Sequence, residues 1–311
     1  MLIGFGLLAP GLPAVINTLF HISIDLTIPM LSVCLLLLHA GFAAYYPTIN
    51  TIFLLGVKAD QAVKRLSSLK SLGPLAGAVG AGVILLLMSS GSYFSKLAVV
   101  GIAVILVGIL CISTLPSSEY SKKQHRLRLK KKLLSYYLLN FLNGCRSAIF
   151  STFVIYYLIT EMNFKLEATA TIVLTGNVMT FVGYQFIGRL ARRYDPANLL
   201  AILYLVMCFN FLGFMVIKIE ILLSLIFLVD SLVFCTSAIT DSYPKIISDG
   251  QELLGDLAVG VSLYHLGKAI MPIVGGLLYS RNNVEAFFLG SIFTLFAFFA
   301  TRRLTWKSSA K

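Results

Sequence analysis

Apolar residues run along this chain in blocks of about 20, separated by short polar breaks, which is the length a helix needs to cross a bilayer. Ten blocks are read this way: 1–20, 28–54, 66–88, 95–115, 134–160, 168–188, 197–217, 221–244, 256–279 and 284–304. The first does not read as a convincing secretory leader, because it lacks a basic start and Pro10 and Pro13 interrupt it. Inside several blocks the few polar residues recur at helical spacing. Tyr136, Asn140, Asn143 and Ser147 form one stripe, with Arg146 beside it. Asp230, Ser237 and Asp241 form a second, His39, Tyr46 and Asn50 a third, and Asn177, Tyr184 and Gly188 a fourth. A polar stripe on an otherwise apolar membrane helix has to face protein or water.

Composition sharpens this. Hydrophobic residues make up 58% of the chain and charged residues 12%, against about 45–50% and about 25% in soluble domains. With a mean hydropathy of +0.89, no polar stretch is large enough for a soluble enzyme or a nucleic-acid-binding domain. The net charge of +12 is placed by topology instead. Lys58, Lys64, Arg65, seven residues in Lys122–Lys132, Arg189, Arg192, Arg193, Lys245, Arg302, Arg303, Lys307 and Lys311 share one side, 18 in all. Lys96, Lys165, Lys218 and Arg281 hold the other. The bias puts the basic loops and the C-terminus in the cytoplasm of a multi-pass cell-membrane protein. The five cysteines, scattered through apolar runs without a CxxC pair, read as packing residues, and neither a metal nor a cofactor is expected.

The chain also repeats itself. Tyr46-Pro47-Thr48-Ile49 returns as Tyr243-Pro244-Lys245-Ile246, 197 positions later. Lys70, Pro74 and Gly77 return as Lys268, Pro272 and Gly275-Gly276, 198 positions later. Internal repeats of this kind are a building plan of transporters. The offset makes the stretch 134–311 a complete copy of six spans, preceded by a basic linker at 116–133. The stretch 1–115 then holds four.

Gly73-Pro74-Leu75-Ala76-Gly77-Ala78 and Gly188-Arg189-Leu190-Ala191-Arg192-Arg193 carry a resemblance to the major facilitator superfamily. The first is similar to that family's fifth-helix Gly-Pro-x-x-Gly-Gly motif, and the second to the loop motif after its second and eighth helices. Leu69 and Ala78 replace two glycines of the first motif. Arg192 and Asp195 replace an acid and a glycine of the second, whereas Gly188 and Arg193 match. The resemblance implies an all-α membrane protein of two bundles. Here it would have about ten transmembrane helices, four and then six, as the family's third to twelfth, and an incomplete N-terminal bundle. The fourth-helix arginine associated with proton-coupled antiporters aligns to Leu37, so that role is not implied. Whether Met1 is a misplaced start or the chain is a truncated, non-transporting product stays open.

Ionisable residues at membrane depth are costly and so point to function. Arg146, Lys268, Asp230 and His39 each lie nine to twelve residues inside their spans, near the midplane at about 1.5 Å rise per residue. The resemblance would place their helices around a central cavity. Arg146 and Lys268 are read as receiving an anionic group of the solute, with Asn140, Asn143, His39, Tyr264 and His265 lining the site. Asp230 is read as holding one of the cations when the site is empty and as the candidate proton carrier. A buried pair that only joins helices is the competing reading. Lys70 is read as a second cavity lysine or a snorkelling one. Gly73, Pro74, Gly77, Pro272, Gly275, Gly276, Gly188 and Arg193 are read as structural.

Three functions follow in order. The first is secondary transport of a small organic solute, anion-preferring and with protons as one coupling option. The second is a drug efflux permease of the same family, and the third a non-transporting membrane protein. GxxxxGK[ST], HExxH and GxSxG are all absent from the sequence, so neither ATP-driven transport nor an enzyme is expected. The expected partners are the bilayer and a small solute, not nucleic acid, and a monomer is expected.

Overall fold

The computed structural model describes residues 45–87, 102, 106, 129–248, 252–304 and 306. Span 1–20, nearly all of 95–115, most of 28–54, His39 and the linker up to residue 128 lie outside the described residues. The chain forms two compact units, Met1–Thr48 with Leu86–Gln124, and Ile49–Leu85 with His125–Lys311. The second contains nearly all the described residues and is the subject below. This grouping follows contact, whereas the four-and-six division above follows the repeat.

All regular structure among the described residues is helical: α1 at 45–55, α2 Ala62–Leu87, α3 Leu134–Ile149, α4 Ile155–Thr160, α5 Leu166–Leu190, α6 Pro196–Val216, α7 Glu220–Val233, α8 Thr236–Ser242, α9 Pro244–Ile247, α10 Leu253–Arg281 and α11 Asn283–Thr301. Among the described residues, six helical stretches are long and apolar enough to cross a membrane: Lys131–Thr160, Glu167–Leu190, Pro196–Val216, Glu220–Ile247, Leu253–Arg281 and Val284–Thr301.

Local sequence explains the helix ends. Asp195 caps α6, its carboxylate accepting from the Asn198 N–H at 3.1 Å, and Pro196 takes the first helical position, where no N–H is needed. Asn282 caps α11 by accepting from the Val284 N–H at 3.1 Å. Pro74 and Pro272 sit inside α2 and α10, so the carbonyls of Lys70 and Lys268 lose their usual helical donor.

Two stretches read as single helices are interrupted. α3 and α4 are joined by a π segment, Phe150–Val154. The span expected at 221–244 breaks after α7, where the chain turns at Phe234 and Cys235 before α8 begins. The Phe234 N–H there reaches the Ser231 carbonyl, three residues back, at 3.3 Å. Asp230 and Asp241 therefore stand on separate helices, which their spacing alone did not reveal.

α3 and α10 run parallel. The Tyr136 ring lies against Gly260, Gly144 against the Tyr264 carbonyl, and Gly275 against the Phe153 ring. A Cβ on Gly144 would sit 2.0 Å from that carbonyl oxygen, and one on Gly183 would sit 2.0 Å from the Leu232 carbonyl where α5 meets α7. Only glycine permits such approaches, the usual device for close packing of helices in lipid.

The interior is layered. One apolar cluster gathers Leu133, Tyr136, Leu139, Leu200, Tyr204, Ile239 and Leu257 with Leu54 and Leu66. A second, mainly aromatic, gathers Phe150, Phe153, Tyr157, Phe211, Phe214, Phe227 and Phe287. Between them along α3, α6 and α7 lie the buried polar residues Asn143, Arg146, Asn210 and Asp230.

Candidate functional site

The polar layer centres on one ion pair. Arg146 Nη1 donates to Asp230 Oδ2 at 3.0 Å, and both side chains are only 1% exposed. Arg146 Nε also donates to Asn143 Oδ1 at 3.4 Å, and the guanidinium lies 5.0 Å from the centre of the Phe234 ring. The other carboxylate oxygen of Asp230 accepts from Asn210 Nδ2 at 3.5 Å. Arg146 Nη2 is buried without a hydrogen-bond partner among the described residues. Such a pair persists in an apolar surround because each charge is desolvated and neither can be left alone; removing one partner of a buried pair costs about 3–5 kcal/mol.

Around this pair the other candidates divide. The Tyr264 hydroxyl donates to Ser147 Oγ at 3.1 Å, tying α10 to α3 one residue beyond Arg146. The His265 ring stands edge-on to Tyr264 with centres 5.4 Å apart. Lys268 is half-buried, its Nζ 5.8 Å from the centre of the Tyr264 ring. Lys268 has no carboxylate partner among the described residues. Asn140 turns away along its own helix, its amide donating to the Tyr136 carbonyl at 3.0 Å. Arg146, Asp230, Asn143 and Tyr264 are thus gathered at one level.

Lys70, unlike Lys268, meets a carboxylate among the described residues. Its ammonium meets Asp241 Oδ2 at 2.5 Å, and Asn50 Nδ2 donates to the same oxygen at 3.3 Å. Beside this pair, Gln185 donates to Ser71 at 2.9 Å, the Tyr184 and Ser237 hydroxyls meet at 2.7 Å, and Gly188 lies against Ser67. Gly77 faces the Asn177 amide, while a side chain on Gly73 or Gly276 would meet open space. Arg193 is exposed in the turn after α5.

A further cluster lies at the start of α10. Lys130 contacts Asp256 at 2.6 Å and Glu252 at 2.8 Å, Ser248 donates to Asp256, and Lys132 donates to the Ile247 carbonyl at 3.2 Å. Burial acts most strongly on the Lys130 ammonium and lowers its pKa. The hydrogen bonds and charges of Asp256 and Glu252 together outweigh it and hold the group above its ordinary value.

Sequence reasoning did not find Asn210, Phe234 or the pairing of Lys70 with Asp241. Asn210 carried a usable signal: it is an amide in the middle of a helix that is otherwise almost entirely apolar.

Helices of this length and polarity, crossing at glycines around a buried charge pair, define a multi-pass membrane protein with a transporter fold. The profile of the Major Facilitator Superfamily matches residues 1–248, and the chain belongs to that family of membrane transporters. Its fold is similar to that of FucP, a Major Facilitator Superfamily transporter solved in the outward conformation. The TM-score is 0.67 at 16% identity, over 98% of this chain and 83% of that one. A single-site variant of the E. coli fucose:proton symporter FucP gives 0.69 at 17% identity over the same shares. A bacterial homologue of the iron transporter ferroportin, in an outward-facing state, gives 0.65 at 12% identity, over 97% of this chain and 82% of that one. No curated protein matches the sequence.

Proposed function

We propose that this chain is a secondary transporter of a small organic anion, working by alternating access around the mid-height polar layer. The observation that carries the reading is an imbalance of charge. Arg146 and Asp230 neutralise each other's charge, while Lys268, beside Tyr264, has no carboxylate among the described residues. A cation at membrane depth without a counter-charge is expensive, and an anionic solute offsets that cost. Lys268 is the solute-facing charge in this reading, with Tyr264, Ser147 and Asn143 positioning the solute and His265 behind Tyr264. Arg146 and Asp230 form the bonded floor of the site, and Asp230 is the proton carrier, since protonating it would release Arg146. The four-and-six division of the chain and the cytoplasmic placement of the basic loops belong to the same proposal.

The test is uptake into proteoliposomes under an imposed pH gradient, using labelled organic acids, sugars and amines. Lys268→Ala and Arg146→Ala should each abolish uptake of the acids while the protein still inserts and purifies. Wild-type uptake confined to amines or sugars, or normal uptake of acids by both variants, would overturn the reading.

A further inference from the structure

Resting on the proposed transport site, we infer that the solute is a monocarboxylate, and that Lys268 receives its carboxylate as Lys70 receives that of Asp241. The internal repeat makes Lys70 and Lys268 counterparts, each one turn before a helix-internal proline. Lys70 has its carboxylate, bound through one oxygen at 2.5 Å and shared with the Asn50 amide. The residue 197 positions before Asp241 is Ala44, so the copy encodes no acid at the corresponding position. Lys268, correspondingly, meets no carboxylate among the described residues and rests near the face of Tyr264. One half of the repeat carries its anion in the chain; in the other, among the described residues, the lysine meets the Tyr264 ring in place of a carboxylate.

Charge at this level fixes the valence. Because α3 and α10 run parallel with Gly144 against Tyr264 and Phe153 against Gly275, Arg146 stands level with the turn that bears Lys268. Among the described residues, two cations and one carboxylate, Asp230, leave a single positive charge there. One negative charge neutralises it, whereas a dianion would leave a second charge unpaired in a medium where each unpaired charge is costly. Tyr264, one turn before Lys268, supplies an apolar ring against the body of such a solute, and its hydroxyl is already engaged by Ser147.

The experiment is thermal unfolding of the purified full chain with benzoate, succinate, benzamide or benzylamine at matched ionic strength. Benzoate should raise the midpoint by several degrees, succinate less, and the neutral amide and the amine not at all. Lys268→Gln should lose the benzoate shift, Lys268→Arg keep it, and Lys70→Gln keep it. Tyr264→Glu places a carboxylate four residues before Lys268, in the favourable helical order. It should therefore make the protein indifferent to benzoate, whatever the loss of the Tyr264–Ser147 bond does to the ligand-free midpoint. A shift by benzamide or benzylamine equal to that by benzoate, a benzoate shift that survives Lys268→Gln, or no carboxylate shift in the wild type would overturn the inference. The two proposals fail separately. A Lys268-dependent benzoate shift without any proteoliposome uptake removes the transport reading alone, and uptake without that shift removes this inference alone.

Discussion

Arg146 and Asp230 can be separated into a structural and a functional role by substituting them together. Arg146→Met alone strands a carboxylate that is 1% exposed, and about 3–5 kcal/mol of stability should be lost. Arg146→Met with Asp230→Leu removes both charges, and apolar replacements of a buried pair are often neutral or stabilising. Thermal unfolding should therefore show the double variant well above the single one. If the pair serves transport, the double variant stays inactive in uptake despite its recovered stability; recovered uptake would make the pair a helix tie only. Asp230→Asn addresses the proton separately, since it keeps an oxygen toward Arg146 but cannot titrate. Uptake by that variant should lose its dependence on external pH, and persistence of the dependence would remove Asp230 as proton carrier. At this scale the sequence was informative for a simple reason. A charge inside a lipid-facing run is conspicuous in one dimension, so Arg146, Asp230 and Lys268 stood out before any coordinates. Which charge meets which was hidden, because Asp230 lies on a helix equally able, by spacing, to face either cation.

Among elements, the contact between α3 and α10 has least tolerance. A methyl group on Gly144 would fall 2.0 Å from a backbone oxygen, and backbone cannot rotate out of the way as a side chain can. Gly144→Ala should cost at least about 1–3 kcal/mol, the usual range for overpacking, and should displace Tyr264 from Ser147. Gly276→Ala, with open space around the added carbon, is the control and should leave the unfolding midpoint within about 0.5 kcal/mol of wild type. The repeated motif alone does not separate Gly275 from Gly276; the difference is made by Phe153, which reaches one and not the other. The break at Phe234 and Cys235 was likewise illegible. No proline or glycine marks it, and hydropathy runs through it without a dip. Helix ends fared better where capping chemistry was local, as at Asp195-Pro196.

For the whole molecule, the basic end offers a test that leaves the transport site alone. Lys130 gains Asp256 and Glu252 on folding and has its pKa raised. A cation with a folded pKa above its unfolded value contributes stability in full below the unfolded value, about 10.4. That contribution fades as pH rises through the folded value. The unfolding midpoint of the wild type should accordingly fall through the alkaline range above about pH 10 more steeply than that of Lys130→Met, while the variant should already be less stable at neutral pH. Identical alkaline profiles would show that this cluster contributes nothing. The fold class was readable from the sequence because lipid demands long apolar helices, and the repeat and motifs then pointed to one family. The layering of the interior was not, since it arises from helices far apart in the chain bringing their few polar residues to one height.

The turn at Phe234 and Cys235 makes this stretch two short rods with a joint rather than one lever. One rod carries Asp230, paired with Arg146, and the other carries Asp241, paired with Lys70. The joint frees the two carboxylates from the fixed angular spacing of one continuous helix, so each is aimed at its own cation.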